Sequence, residues 1–63
     1  MTEDIFSLED KTVVVTGASG LIGQAQCKAL SKFGATVVAC DIDINKTRLL
    51  LNDLNHKSFA LRI

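Results

Sequence analysis

The residues best placed to do chemistry lie in one stretch, Val13-Val14-Val15-Thr16-Gly17-Ala18-Ser19-Gly20-Leu21-Ile22-Gly23. Gly17, Gly20 and Gly23 are spaced three apart and begin one residue, Thr16, after three consecutive valines. The valine run suits a strand buried on both faces, and a helical pattern begins where the glycines end. A strand, a tight glycine turn and a helix N-terminus are the parts needed to hold a phosphate. The free N–H groups of the first helical turn point outward, and the helix dipole favours an anion there. In such a site one glycine makes the turn, one lets backbone approach a pyrophosphate, and one lets the helix pack close to the strand.

The other reactive side chains read blandly. Cys27 and Cys40 form no CxxC pair and read as small buried hydrophobes, not as a disulfide or metal pair. Without a disulfide framework, a reducing compartment, the cytoplasm, is expected. His56, the single histidine, has no carboxylate or thiol at ligand spacing, so it reads as a turn residue and no metal site is expected. Lys28, Lys32, Lys46 and Arg48 read as solvated helix charges. Seven basic and seven acidic residues cancel, which gives no net field to draw nucleic acid or an anionic membrane. No stretch approaches the length of an apolar membrane span, and the acidic Met1-Thr2-Glu3-Asp4 start has no signal-peptide character. The chain has 63 residues, 48% of them hydrophobic. It is therefore not a disordered chain, yet one this short buries only about 60% of its unfolded surface.

The elements that must position the glycines can be read in order. Residues 1–11 form a lead-in whose Ile5, Phe6 and Leu8 tuck against the sheet while Glu3, Asp4, Glu9 and Asp10 stay in water. A first strand covers Thr12 to Thr16. A helix follows from about Leu21 to Phe33. Its projected apolar side holds Ile22, Ala25, Ala29, Leu30 and Phe33, with Gln24, Lys28, Ser31 and Lys32 opposite. Gln26 falls inside the apolar arc without an evident reason. Gly34 is the expected left-handed cap. A second strand runs from Thr36 to Cys40 and ends at Asp41. Asp43 caps a second helix, about Ile44 to Leu54, with Thr47, Leu50, Leu51 and Leu54 inward and Leu49 partly off that stripe. Ser58 to Ile63 alternates and reads as a third strand. The order β-α-β-α-β predicts an α/β fold, part of a doubly wound parallel sheet of Rossmann type. Right-handed crossovers set the strands side by side, with helices covering the faces. No linker divides residues 1–63, which read as the incomplete N-terminal part of a single domain.

The run Thr16-Gly17-Ala18-Ser19-Gly20-Leu21-Ile22-Gly23, followed by Gly34-Ala35-Thr36-Val37-Val38-Ala39-Cys40-Asp41, resembles the start of short-chain dehydrogenases/reductases. The lead-in Phe6-Ser7-Leu8-Glu9-Asp10-Lys11 is similar to that family's approach to its first strand. The resemblance spans essentially the whole chain and implies an NAD(P)-binding segment of an oxidoreductase. It implies that Gly17 turns the chain, with no room there for a side chain. Ser19 would offer its hydroxyl to a phosphate oxygen or the adenosine ribose. Gly20 would complete the turn, the amides of Leu21 and Ile22 would face the pyrophosphate, and Gly23 would let the helix approach the first strand. Asp41 would accept both hydroxyls of the adenosine ribose, with Ile42 beside it. The charge of Asp41, with no Arg or Lys at Ala18, Ser19 or Ile42, points to NAD over NADP. The bland alternatives are a ligand-free glycine turn and a solvated loop acid.

The resemblance has one departure. Leu21 stands where the commoner short form has glycine, and glycines three apart look like the extended branch of nucleotide-sugar epimerases and dehydratases. The lead-in and the Asp41 spacing look like the short branch. In the resembled family a tyrosine, with a lysine four residues on, transfers the proton. This chain has no tyrosine, so no catalytic residue is assigned within it. The expectation is therefore a fragment: the start of a longer enzyme that moves hydride between NAD and a secondary alcohol or ketone and assembles from identical subunits. A non-catalytic dinucleotide-binding module is the third reading. An isolated piece of this kind is expected to be weakly folded or to self-associate through a bare strand edge.

Overall fold

The computed structural model describes residues 7–63, so the expectations for Glu3, Asp4, Ile5 and Phe6 lie outside the described residues. Strand β1 (Thr12–Thr16) leads to helix α1 (Leu21–Lys32), strand β2 (Thr36–Asp41), helix α2 (Ile44–Leu50), a short 3-10 turn (Leu51–Asp53) and strand β3 (Phe59–Arg62). The three strands are parallel in the order β1-β2-β3. Thr12 pairs with Thr36 and Thr16 with Cys40, while Val38 pairs with Phe59 and Asp41 with Arg62. This is the expected β-α-β-α-β arrangement of a Rossmann-like fold.

Local chemistry explains most boundaries. Helix α1 ends with Phe33 as its cap. Gly34, at φ 101°, follows in the left-handed region. The Gly34 N–H donates to the Ser31 carbonyl at 3.0 Å and the Ala35 N–H to the Leu30 carbonyl at 3.1 Å, the paired closure that satisfies the last carbonyls of a helix. Asp43 caps α2 by accepting the Lys46 N–H at 3.1 Å. The expected second helix is one turn too long. After Leu50 the chain tightens, and the Leu54 N–H donates to the Leu51 carbonyl at 3.1 Å, a common way to close a helix end. Strand β3 is one residue shorter at each end than expected.

The core joins Val15, Val37 and Ala39 to Cys27 of α1 and Leu50 of α2, with Val13, Leu30 and Leu54 at its margin. Alternate residues of a strand share a face, so both helices lie on one side of the sheet. This corrects the expectation that helices cover both faces. Right-handed crossovers that step in one direction keep their helices on one side. On the other face Val14 is 61% exposed, and Phe59 and Leu61 of β3 are also exposed.

The buried side of α1 is not the one its apolar pattern indicated. Ile22, Ala25, Ala29 and Phe33 are exposed and Leu30 is half-buried, while Gly23, Cys27 and Ser31 are buried. Gln26, unexplained within the apolar arc, is exposed because that arc faces away from the core. Small residues along one stripe let the helix axis come close to the sheet, and close approach outweighs the larger apolar area on the neighbouring stripe. Cys27 and Cys40 are buried free thiols as expected. Thr47 and Leu50 are buried and Leu49 is exposed, also as expected.

Ser31 is buried because it belongs to a polar clamp. Its hydroxyl oxygen accepts the Asn55 N–H at 2.6 Å. The Asn55 side-chain amide donates to the carbonyls of Ser31 at 3.2 Å and Ala35 at 2.7 Å. The Asn55 Oδ1 accepts the Ser58 hydroxyl at 3.1 Å, and the Ser58 oxygen accepts the Val37 N–H at 3.0 Å. Removing Asn55 would orphan several half-buried groups at once. Asn55→Ala is therefore expected to destabilise the chain by about 1–3 kcal/mol, read as a lower urea midpoint without loss of helical circular dichroism at zero denaturant.

Candidate functional site

The chain leaves β1 at Gly17, whose φ of 67° places it in the left-handed region that non-glycine residues avoid. A Cβ there would meet nothing within 4 Å. The expected collision at Gly17 is thus corrected: backbone conformation, not space, demands the glycine. The space constraint sits at Gly23. A Cβ on Gly23 would overlap the Gly17 carbonyl oxygen and lie 2.9 Å from the Ala18 Cα. The close approach is to the turn just beyond β1 rather than to the strand itself.

The turn is held on three sides. The Ala18 N–H donates to the Cys40 carbonyl at 3.0 Å, the Gly20 N–H to the Gly17 carbonyl at 3.1 Å, and the Gln24 side-chain amide to the Ser19 carbonyl at 2.7 Å. Gln24 was expected to point to solvent. A polar residue in the first helical turn, within reach of a preceding carbonyl, is the sequence signal that could have identified it.

The N-terminus of α1 is left open. Gly20 is its cap residue and supplies no side-chain hydrogen bond, and no acidic residue lies in the first turn. The first helical bond is the Gln24 N–H to the Gly20 carbonyl at 2.8 Å. Among the described residues the amides of Leu21 and Ile22 have no partner. Leu21 and Ile22, together with Gly17, Gly20 and Gly23, line an open cleft of about 540 Å³. Uncapped donors at the positive end of a helix suit an anion. The side chains of Leu21 and Ile22 are 89% and 76% exposed.

Asp41, at the end of β2, turns toward this loop. Its Oδ2 accepts the Ser19 N–H at 3.0 Å and the Ser19 hydroxyl at 2.8 Å. Its Oδ1 accepts the Asp43 N–H at 3.1 Å. The family resemblance brought Ser19 and Asp41 to one site and implied a phosphate or ribose as partner of the Ser19 hydroxyl; here that hydroxyl donates to Asp41. Three hydrogen bonds occupy most of the roughly four lone-pair positions of a carboxylate. The Asp41 carboxylate keeps acceptor capacity beyond these three bonds, chiefly on Oδ1. Ile42 follows with its side chain 72% exposed, and the turn and Asp41 converge at the C-terminal edge of β1 and β2, where ligands of open α/β sheets bind.

The Asp43 N–H, then the Ser19 N–H and hydroxyl, hold the Asp41 carboxyl down at about 2, from an ordinary value of 3.8. A depressed carboxyl stabilises the fold above its unfolded value and loses that contribution as pH falls through its folded value. The Ser19–Asp41 link is thus complete at neutral pH and released between pH 3.8 and about 2. Carboxyl carbon shifts followed by NMR check this directly: the Asp41 midpoint is expected near the bottom of that range. Gly23→Ala is expected to cost about 1–3 kcal/mol, because the new methyl meets backbone that cannot swing aside, and a urea titration measures it.

The pattern of the family described as short chain dehydrogenase matches residues 11–63. A tropinone reductase homolog of Arabidopsis thaliana is 36% identical over 61 residues, 97% of this chain and 23% of that protein. The crystal structure of a hydroxysteroid dehydrogenase from Escherichia coli superposes with a TM-score of 0.86 at 27% identity, covering 95% of this chain and 27% of that one. A short-chain type dehydrogenase/reductase from Mycobacterium marinum superposes at 0.80 and 26% identity, covering 100% of this chain and 26% of that one. The chain spans about a quarter of the length of these relatives. They favour the short-chain dehydrogenase reading over a nucleotide-sugar epimerase.

Proposed function

Because this chain belongs to the short-chain dehydrogenase family, oxidoreductases that bind nicotinamide dinucleotides, we propose that residues 1–63 are the N-terminal cofactor-binding part of a single Rossmann domain selective for NAD. The observation that carries this reading is the Asp41 carboxylate, bonded to Ser19 across the glycine turn beside the uncapped start of α1. The residues fit the cofactor. The amides of Leu21 and Ile22 receive the pyrophosphate, Gly17, Gly20 and Gly23 keep side chains out of its way, and Asp41 accepts a ribose hydroxyl. Ile42 offers an exposed apolar surface next to the adenosine end. Ionised Asp41 repels a 2′-phosphate, and no cation stands at Ala18, Ser19 or Ile42 to offset that.

When bound, NAD supplies a hydride acceptor or donor. The residues of this chain bind and orient the adenosine half, and proton transfer falls to residues outside 1–63. The protein in which this segment works is proposed to interconvert a secondary alcohol and a ketone, as an assembly of identical subunits in the cytoplasm. Two buried free thiols suit that reducing compartment.

An NMR titration of the chain with NAD and NADP tests the reading. NAD is expected to shift the amides of residues 17–23 and Asp41, and to bind more tightly than NADP. Asp41→Ala is expected to erase about a tenfold preference, about 1.4 kcal/mol. Equal binding of the two cofactors by the unsubstituted chain would end the NAD assignment.

A further inference from the structure

Among the described residues Asp41 forms no ion pair, although Arg62 is its register partner on β3. The ion pairs among the described residues join Lys28 to Asp53 and Lys57 to Glu9, away from the glycine turn. What fixes the carboxylate is hydrogen bonding, and Ser19 supplies two donors to a single oxygen, Oδ2. Ser19 is itself held, since the Gln24 side chain grips its carbonyl at 2.7 Å. The chain therefore runs from the first turn of α1, through the Ser19 peptide and hydroxyl, to the end of β2. It leaves the carboxylate unable to swing to solvent without breaking the Ser19 bonds.

We propose that Ser19 is a specificity-determining positioning residue: its hydroxyl pins the Asp41 carboxylate where a ribose 2′-phosphate would sit, and so excludes NADP. This rests on the cofactor reading above and goes beyond it, because it assigns selectivity to the lock on the acid as well as to the acid. A carboxylate free to rotate could turn away from an incoming phosphate and relieve the repulsion. A pinned one cannot, and rejection of a competitor depends on such an unrelieved repulsive element. The same bonds fill Oδ2 and leave capacity on Oδ1, which suits one hydroxyl of an unphosphorylated ribose.

Ser19→Ala removes the hydroxyl bond and keeps the peptide N–H, while Ser19→Thr keeps a hydroxyl. Two readouts on the 63-residue chain test the proposal: the Asp41 carboxyl midpoint by NMR without ligand, and the ratio of NAD to NADP affinity by NMR titration. Ser19→Ala is expected to raise the Asp41 midpoint toward its ordinary value and to lower the NAD:NADP ratio about threefold to tenfold. Ser19→Thr is expected to restore both. A merely structural role would weaken both cofactors equally and leave the ratio unmoved, which would overturn the proposal. So would an unchanged Asp41 midpoint in Ser19→Ala. If neither NAD nor NADP, at millimolar concentration, shifts residues 17–23 of an unsubstituted chain whose dispersed amide spectrum shows it folded, the cofactor reading itself fails and takes this inference with it. Binding of NAD with an unaltered ratio in Ser19→Ala removes this inference alone. Should Ser19→Ala fail to fold, Ser19→Gly answers instead: it too removes the hydroxyl bond and keeps the peptide N–H, and an unmoved Asp41 midpoint or an unmoved NAD:NADP ratio overturns the proposal.

Discussion

The contact of Gly23 with the Gly17 carbonyl is the constraint on which the rest hangs. Helix α1 descends onto the turn so closely that no Cβ fits between them. That descent sets the start of α1 beside the cleft and buries the Gly23-Cys27-Ser31 stripe. A larger residue at Gly23 would lift the helix, and the turn would lose the support that the Gln24 side chain gives the Ser19 carbonyl. Packing and site geometry are therefore consequences of one missing side chain.

A second link joins the two crossovers. The Ala18 N–H reaches the Cys40 carbonyl, and Asp41 gathers donors from Ser19 and Asp43. The acid stays ionised through oriented dipoles rather than a salt bridge. Oriented N–H donors favour the charged form of a carboxylate, and they leave its negative charge uncancelled. An arginine or lysine partner would also have lowered the carboxyl pKa, while neutralising its charge. The exposed Lys28–Asp53 and Lys57–Glu9 pairs contribute little by comparison.

The sheet separates chemistry from support. Gly17 and Asp41 sit at the C-terminal ends of β1 and β2, and the polar clamp built on Asn55, Ser31 and Ser58 sits near the N-terminal ends of β2 and β3. The loops at the site can thus present free donors, because the backbone groups at the other end are satisfied internally. The helix-free face of the sheet, with Val14, Phe59 and Leu61 exposed, carries the apolar side of β3. A parallel sheet is ordinarily covered on both sides.

The elements and their order were legible in the residues because they rest on local rules. Three valines make a strand, a glycine takes the left-handed turn, Gly34 and Asp43 close helix ends, and alternation marks β3. The meeting of Ser19 and Asp41 at one crevice was legible only through the family pattern. The buried face of α1 was not legible at all. That helix carries one stripe of Ile22, Ala25, Ala29 and Phe33 and another of Gly23, Cys27 and Ser31, and periodicity favours the more apolar. Tertiary structure chose the smaller residues, because the close approach at Gly23 fixes which side of the helix lies against the sheet. The partner of the Ser19 hydroxyl was decided in the same way, by a distance across 22 residues that no local pattern encodes.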